Sequence, residues 1–129
     1  MQALYQWQMT GQNVHEVLKQ FLTTQDVSRA DLDYFQELLT SIPGRVDKLD
    51  AALEPFMERR MEEVDPVERA ILRVSAYELI SRPDIPYKVV INEAIDLTKK
   101  FGADQAHRFV NGVLDQAVKE LRKMEVGQS

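Results

Sequence analysis

The sequence predicts an all-α protein, built as a single-domain bundle of six to seven helices. Apolar residues recur at intervals of three and four along most of the chain, which is the spacing of one face of a helix. No segment shows the alternation of apolar and polar residues that is typical of a half-buried strand. The length of 129 residues fits one domain with one hydrophobic core.

The first part of the chain predicts two helices before residue 25. A short amphipathic helix covers residues 2–9 and starts against Met1 without a capping residue. The second helix is clearly marked, because Asn13 can cap it and Glu16 follows three residues later, as in a capping box.

A third helical segment begins at Ser28, and its apolar positions continue in phase as far as Phe56. The pattern runs through Pro43, although proline normally interrupts a helix because it lacks an N–H group. Two arrangements remain open, one long helix kinked at Pro43 or two helices nearly in line. The unbroken phase favours the kinked helix.

The next helix has a strong start. Asp65 can cap it, Pro66 suits the first helical position and Glu68 stands at the third. The helix is expected to end near Ser81, since two prolines follow closely.

Two further helices complete the prediction. Pro86 opens the first, and Gly102 is expected to end it in a left-handed conformation. The last helix runs from near Asp104 to about Lys123. Gly112 within it costs about 1 kcal/mol relative to alanine, which suggests either close packing of another helix or room for a partner.

Composition excludes several functional classes. The chain has no cysteine, so disulfides and thiolate chemistry are absent, and its five glycines do not cluster as in a nucleotide-binding loop. Neither histidine has a second ligand at helical metal spacing. We therefore expect no metal, no cofactor and no enzymatic activity. The absence of a long apolar run or a secretory signal predicts a cytoplasmic protein without a membrane segment.

The net charge of −5 argues mildly against nucleic-acid binding, but a local patch can still supply cations. A mildly basic stretch contains Lys88, Lys99, Lys100 and Arg108. Phe101 follows Lys100 and Phe109 follows Arg108, and an aromatic ring beside a cation allows a base to stack while its phosphate is neutralised. The alternative interpretation is that these cations belong to solvated helix faces and the aromatic residues to the core.

Two longer strings carry a resemblance to a known family. The first is VINEA at residues 90–94, and the second is FVNGVLD at residues 109–115. Together with VERAILR at residues 67–73 and ALYQW at residues 3–7, they resemble the NusB family. The similarity is closest from Asp65 to Leu121.

The resemblance implies two packed helical subdomains, which we place at residues 1–57 and 65–123 of one domain covering residues 1–129. It implies a transcription antitermination factor that binds boxA RNA together with the ribosomal protein NusE. In this role the protein supports read-through of ribosomal RNA operons by the RNA polymerase antitermination complex, as a monomer or weak homodimer. The alternative is a NusB-like RNA-binding accessory domain of a ribosomal RNA methyltransferase.

The resemblance also assigns roles to individual positions. Those matching the RNA face of the family, with basic neighbours as phosphate partners, are Phe101, Gln105, Phe109, Lys100 and Arg108, and Lys88 is a further basic candidate. Positions matching the NusE interface are Tyr5 and Glu68, with Arg69 beside them. Glu68 is expected to be exposed and anionic at a helix start, which suits a cationic ribosomal protein.

The chain departs from the family at its start. NusB proteins usually carry an arginine-rich segment ahead of the first helix, whereas here Met1 stands where that helix is already under way. A truncated form, a mis-assigned start and a natural variant remain open. The missing cations predict weaker RNA binding than in a full-length relative, with the NusE surface less affected.

The neutral side chain of Gln105 generates the first testable prediction. An acidic residue can occupy this position in the family and would repel phosphate. We expect Gln105→Asp to weaken RNA binding, most strongly at low salt, where unscreened charges interact over longer distances. Affinities measured across a salt series check this, and equal affinities of the two proteins at every salt concentration would contradict it.

Overall fold

The computed structural model describes residues 40–123 together with Tyr34, Glu37, Leu38 and Glu125. This part of the chain is helical without strands, which confirms the predicted all-α class. Its four α-helices are α1 (Val46–Leu53), α2 (Pro66–Ser81), α3 (Tyr87–Phe101) and α4 (Ala106–Leu121). The helices predicted at residues 2–9 and after Asn13, and the start at Ser28, lie outside the described residues. The division into two subdomains stays a prediction.

Helix α2 begins as the sequence predicts. Asp65 caps it by accepting a hydrogen bond from the backbone N–H of Val67 at 3.0 Å, and Pro66 occupies the first helical position. The helix contacts α1, α3 and α4, and it is buried on most sides rather than along a single stripe. Its buried apolar residues are Ala70, Ile71, Leu72, Ala76, Tyr77 and Leu79. It is therefore the central helix of the described bundle.

The chain near Pro43 corrects the prediction of a continuous kinked helix. A 3-10 helix occupies Pro43–Arg45, and the Arg45 backbone, at φ −124° and ψ 12°, leaves the helical region before α1 begins. Ile42, Leu49 and Leu53 are nevertheless buried, as the apolar phase predicts. The phase identified the core positions, but the missing N–H group of proline interrupts the helix between them.

Helices α3 and α4 pack against each other and against α2. Their buried residues are Val90, Ile91, Ala94 and Thr98 of α3 and Val110, Val113, Leu114, Ala117 and Val118 of α4. Both helices lie close to their predicted positions, although α4 starts at Ala106 rather than near Asp104. Of the described helices, none is both long enough and apolar enough to cross a membrane.

A partly buried ion pair joins the first two helices. The Arg73 guanidinium donates two hydrogen bonds to the Asp50 carboxylate, Nε to Oδ1 at 3.0 Å and Nη2 to Oδ2 at 2.9 Å. Such two-pronged pairing fixes orientation as well as distance. It sets the position of α1 against the middle of α2.

Arg122 binds the carbonyl groups at the C-terminal end of α2. Its side chain is buried and donates hydrogen bonds to the backbone carbonyls of Glu78, Leu79, Arg82 and Ile85, at 2.7–3.0 Å. The last carbonyls of a helix lack partners within the helix and carry partial negative charge. Arg122 thus supplies both the donors and the positive charge that the end of α2 requires, and it also pairs with Glu125 at 2.6 Å.

Removal of this guanidinium is expected to destabilise the fold. Arg122→Met keeps the length of the side chain but removes every donor, and we expect a loss of about 3 kcal/mol or more in the free energy of unfolding. Urea denaturation measures this. Lys119→Met, at an exposed position of α4 three residues before Arg122, is the matched control and should leave stability essentially unchanged. Equal stability of the two variants would contradict the role of Arg122.

Candidate nucleic-acid interface

An exposed aromatic residue lies at the end of α3. Phe101 is the last residue of this helix, and 45% of its surface is exposed. The ammonium nitrogen of Lys100 lies 5.9 Å from the centre of the Phe101 ring. Lys99 and Lys100 occupy the last turn of α3, where cations are favoured by the helix dipole. The predicted aromatic–basic pair is therefore present and open to solvent.

The loop after α3 carries an unusual backbone conformation. Gln105 lies in the left-handed region, at φ 66° and ψ 0°, and among the described residues it is the one non-glycine residue with positive φ. Its exposed side chain makes no capping hydrogen bond to α4. A non-glycine residue in this region costs on the order of 1–3 kcal/mol and persists where the surroundings enforce it. Asp and Asn tolerate this conformation better than most residues, so Gln105→Asp tests charge without adding backbone strain.

The start of α4 continues the surface. Arg108, Phe109 and Gly112 lie three, four and seven residues after Gln105, which is the spacing of one side of a helix. Arg108 is exposed, whereas Phe109 is half-buried and packs against the core. The two predicted aromatic residues therefore differ, since Phe101 is open to solvent and Phe109 presents only part of its ring.

Arg59 is a residue of this surface that sequence reasoning missed. Its guanidinium carbon lies 4.7 Å from the centre of the Phe109 ring, within the range of a cation–π interaction. Both residues line an open groove of about 590 Å³ together with Phe56, Met57, Glu58, Arg108, Gly112 and Val113. Fifty positions separate Arg59 from Phe109 along the chain, so no local sequence pattern links them.

Gly112 is exposed in this groove, and a Cβ atom added to it would meet nothing within 4 Å. Close packing of another helix therefore does not explain this glycine among the described residues. The second explanation, room for a partner, stays a prediction.

Lys88 lies apart from the other basic candidates. It stands in the first turn of α3, twelve positions before Lys100, which corresponds to roughly 18 Å along the helix. Its ammonium nitrogen lies 5.9 Å from the ring of Tyr87. The structure thus brings together Lys100, Phe101 and Gln105 at one end of α3 and places Lys88 at the opposite end.

Glu68 is buried, so the expectation that this side chain is exposed is wrong. Only 3% of its surface is exposed, and its Oε1 accepts a hydrogen bond from the backbone N–H of Ala103 at 3.1 Å. Burial, followed by the effect of the neighbouring Asp65 carboxyl group, raises the pKa of Glu68. The position at the start of a helix suggested exposure, but the loop between α3 and α4 covers it.

The other predicted partner residues are less informative. Arg69 is half-buried, and its Nη1 lies 3.4 Å from the carbonyl oxygen of Glu62, to which it donates a long hydrogen bond. Tyr5 lies outside the described residues. Around Arg69, the side chains of Glu62, Glu63 and Asp65 are exposed and give this surface an acidic character.

The described residues contain no group of three or more His, Asp or Glu side chains arranged to hold a metal ion. The arrangement at the end of α3 is instead an exposed ring, nearby cations and a polar side chain. Such a surface can stack an unpaired base and neutralise its phosphate.

Comparison with known proteins identifies the family. The NusB family model matches residues 1–119. The chain belongs to the NusB family. The transcription antitermination protein NusB of Idiomarina loihiensis is 54% identical over 122 residues, which cover 95% of this chain and 88% of that relative. The NusB protein of Nitrosococcus oceani is 52% identical over 125 residues, which cover 97% and 84%.

A solved NusB structure from T. maritima has the same fold, with a TM-score of 0.85 and 26% sequence identity over 98% of this chain and 90% of that one. The resemblance drawn from the sequence is therefore confirmed. The prediction of a transcription antitermination factor is also confirmed, since the relatives carry that name over nearly the whole chain. They give no support to the alternative of a methyltransferase accessory domain, and the expectation that the protein is not an enzyme stays a prediction.

Two glycines near the interface form a matched pair of tests. Gly102 is extended, at φ −88° and ψ 178°, so the predicted left-handed conformation is wrong. Its role is close approach, because an added Cβ would lie 2.8 Å from the Thr98 carbonyl oxygen. We expect Gly102→Ala to lower the free energy of unfolding by about 1–3 kcal/mol. Gly112→Ala should raise it by up to about 1 kcal/mol.

Chemical denaturation of the two variants checks this pair. Both exchange glycine for alanine, so the opposite signs isolate the local environment from the common change in backbone entropy. Destabilisation by Gly112→Ala would show that the groove is more crowded than the structure indicates.

Proposed function

We propose that this NusB-family protein binds boxA RNA together with the ribosomal protein NusE within the RNA polymerase antitermination complex. In this role it supports read-through of ribosomal RNA operons, acts in the cytoplasm and is a monomer or weak homodimer. The observation that supports RNA binding is the exposed Phe101 ring with Lys100 beside it. The Gln105 side chain, which makes no capping hydrogen bond to α4, lies in the adjoining loop.

The RNA surface is proposed to run from the end of α3 along the start of α4. Phe101 offers a stacking surface for one unpaired base, and base–aromatic stacking is worth about 1–3 kcal/mol. Lys100 and Arg108 supply cations for the neighbouring phosphates. The net charge of −5 does not oppose this assignment, because phosphate contacts depend on the cations that reach the strand.

Arg59 extends the proposed surface. Its guanidinium lies against the Phe109 ring in the groove, and it can contribute to RNA binding in two ways. It can neutralise a phosphate from its present position, or it can move aside and leave the ring to a base. Arg108 lines the same groove. The residues lining the groove therefore carry two positive charges, from the arginines, and one negative charge, from Glu58.

The NusE surface is proposed to lie around the start of α2. The exposed carboxylates of Glu62, Glu63 and Asp65 supply the anionic character that Glu68, being buried, does not present. A cationic ribosomal protein is complementary to such a surface, which favours rapid association and correct orientation. Tyr5 and Arg69 are retained in this proposal from the family resemblance.

The test is binding of boxA RNA, followed by fluorescence anisotropy, with and without NusE at two salt concentrations. We expect Phe101→Ala to weaken RNA binding about 5- to 150-fold, which is the loss of one stacked base. Arg59→Ala should weaken binding and reduce the dependence of log affinity on log salt by roughly one phosphate contact.

Ile80→Ala is the matched control for Phe101→Ala. Ile80 is 46% exposed, close to the value for Phe101, but it lies in the last turn of α2. It should leave RNA affinity unchanged. Equal effects of the two variants would remove the assigned RNA surface, and no binding by the native chain in either presence or absence of NusE would overturn the proposed function.

A further inference from the structure

The carboxylate of Glu68 joins the start of the central helix to the loop that follows α3. Its Oε1 accepts the N–H of Ala103 at 3.1 Å across 35 positions of sequence. A Cβ added to Gly102 would lie 3.1 Å from the same oxygen. The loop therefore rests directly on this carboxylate, with the glycine allowing the approach.

Burial of this carboxylate is costly. Taking a charged group out of water is compensated only by good hydrogen bonds or an opposite charge. Glu68 Oε2 has no hydrogen-bond partner within the described part of the chain. An apolar side chain of similar size would avoid that cost, so the contribution specific to the carboxylate is its bond to the loop.

The anchored loop carries two residues of the proposed RNA surface. Phe101 lies two positions before Ala103, and Gln105 lies two positions after it. The left-handed backbone of Gln105 is a strained conformation that its surroundings must enforce. A fixed hydrogen bond at Ala103 restricts the loop at its midpoint, between the two candidate side chains.

We propose that Glu68 is a positioning residue for RNA binding, whose carboxylate holds the loop of residues 102–105 so that Phe101 and Gln105 face the same strand. This inference rests on the proposed function. It differs from the role at the NusE interface that the family resemblance suggested, because a side chain with 3% exposure offers a partner almost no contact area.

The experiment compares Glu68→Met, Glu68→Gln and Glu120→Ala with the native chain. Methionine has a similar length but its thioether is a poor acceptor, whereas the glutamine amide oxygen can accept the Ala103 N–H. Glu120 is an exposed carboxylate near the end of α4, outside both proposed binding surfaces, and serves as the control. The readouts are hydrogen exchange of the Ala103 amide, RNA affinity without NusE, and NusE affinity without RNA.

We expect Glu68→Met to speed exchange at Ala103 on the order of tenfold, the effect of losing one charge-assisted hydrogen bond. Exchange of the Leu72 and Ala76 amides in the core of α2 should stay slow, which shows that the chain is folded. RNA affinity should fall severalfold in parallel. Glu68→Gln should keep most of the native Ala103 protection and RNA affinity, and Glu120→Ala should change neither.

The outcomes separate the two proposals. Unchanged Ala103 exchange in Glu68→Met, or faster exchange with full RNA affinity, overturns the positioning role. Loss of NusE affinity with RNA affinity intact overturns it too, and assigns Glu68 to the protein interface instead. If the native chain binds no RNA, the proposed function fails, whereas the Ala103 amide alone still decides whether Glu68 holds the loop.

Discussion

The burial of α2 on most of its sides is the constraint on which the described structure depends. A helix surrounded in this way must pair most of the polar groups that it buries, since unpaired buried groups are costly. Three such groups set the positions of three neighbours. Glu68 bonds the loop before α4, Arg73 bonds Asp50 of α1, and the carbonyls at the end of α2 bond Arg122. Apolar contacts are not directional, so these polar pairs fix how the neighbouring segments are oriented against α2.

The polar contacts at the two ends of α2 have different consequences. At its C-terminal end, Arg122 satisfies carbonyls of the helix and of the turn that leads to α3, so the contact concerns the stability of the bundle. At its N-terminal end, the Glu68 carboxylate bonds a loop of four residues flanked by the candidate RNA side chains. The first contact makes several hydrogen bonds, whereas the second makes one, so the loop is the more easily displaced of the two.

The sequence predicted those features whose causes are local. The start of α2 at Pro66 follows from a capping aspartate and a proline, both of which act within one turn. The end of α3 at Gly102 was also predicted, but for the wrong reason, since close approach and not positive φ requires glycine there. The positive φ belongs to Gln105, a residue type with no special preference for it. Local propensity placed the boundary but not the backbone conformation around it.

The candidate site residues also fall into those that local sequence predicts and those that depend on packing between distant segments. Phe101 and Lys100 are adjacent in sequence, so their pairing could be read directly and is found at 5.9 Å. Arg59 and the burial of Glu68 arise from contacts between segments 50 and 35 positions apart, which depend on how helices pack and not on any spacing in the chain. A motif predicts which side chains belong to the candidate RNA surface. Packing decides whether a charged side chain is exposed to a ligand or forms a contact within the fold. For Glu68 the motif predicted an exposed carboxylate, whereas packing buries it.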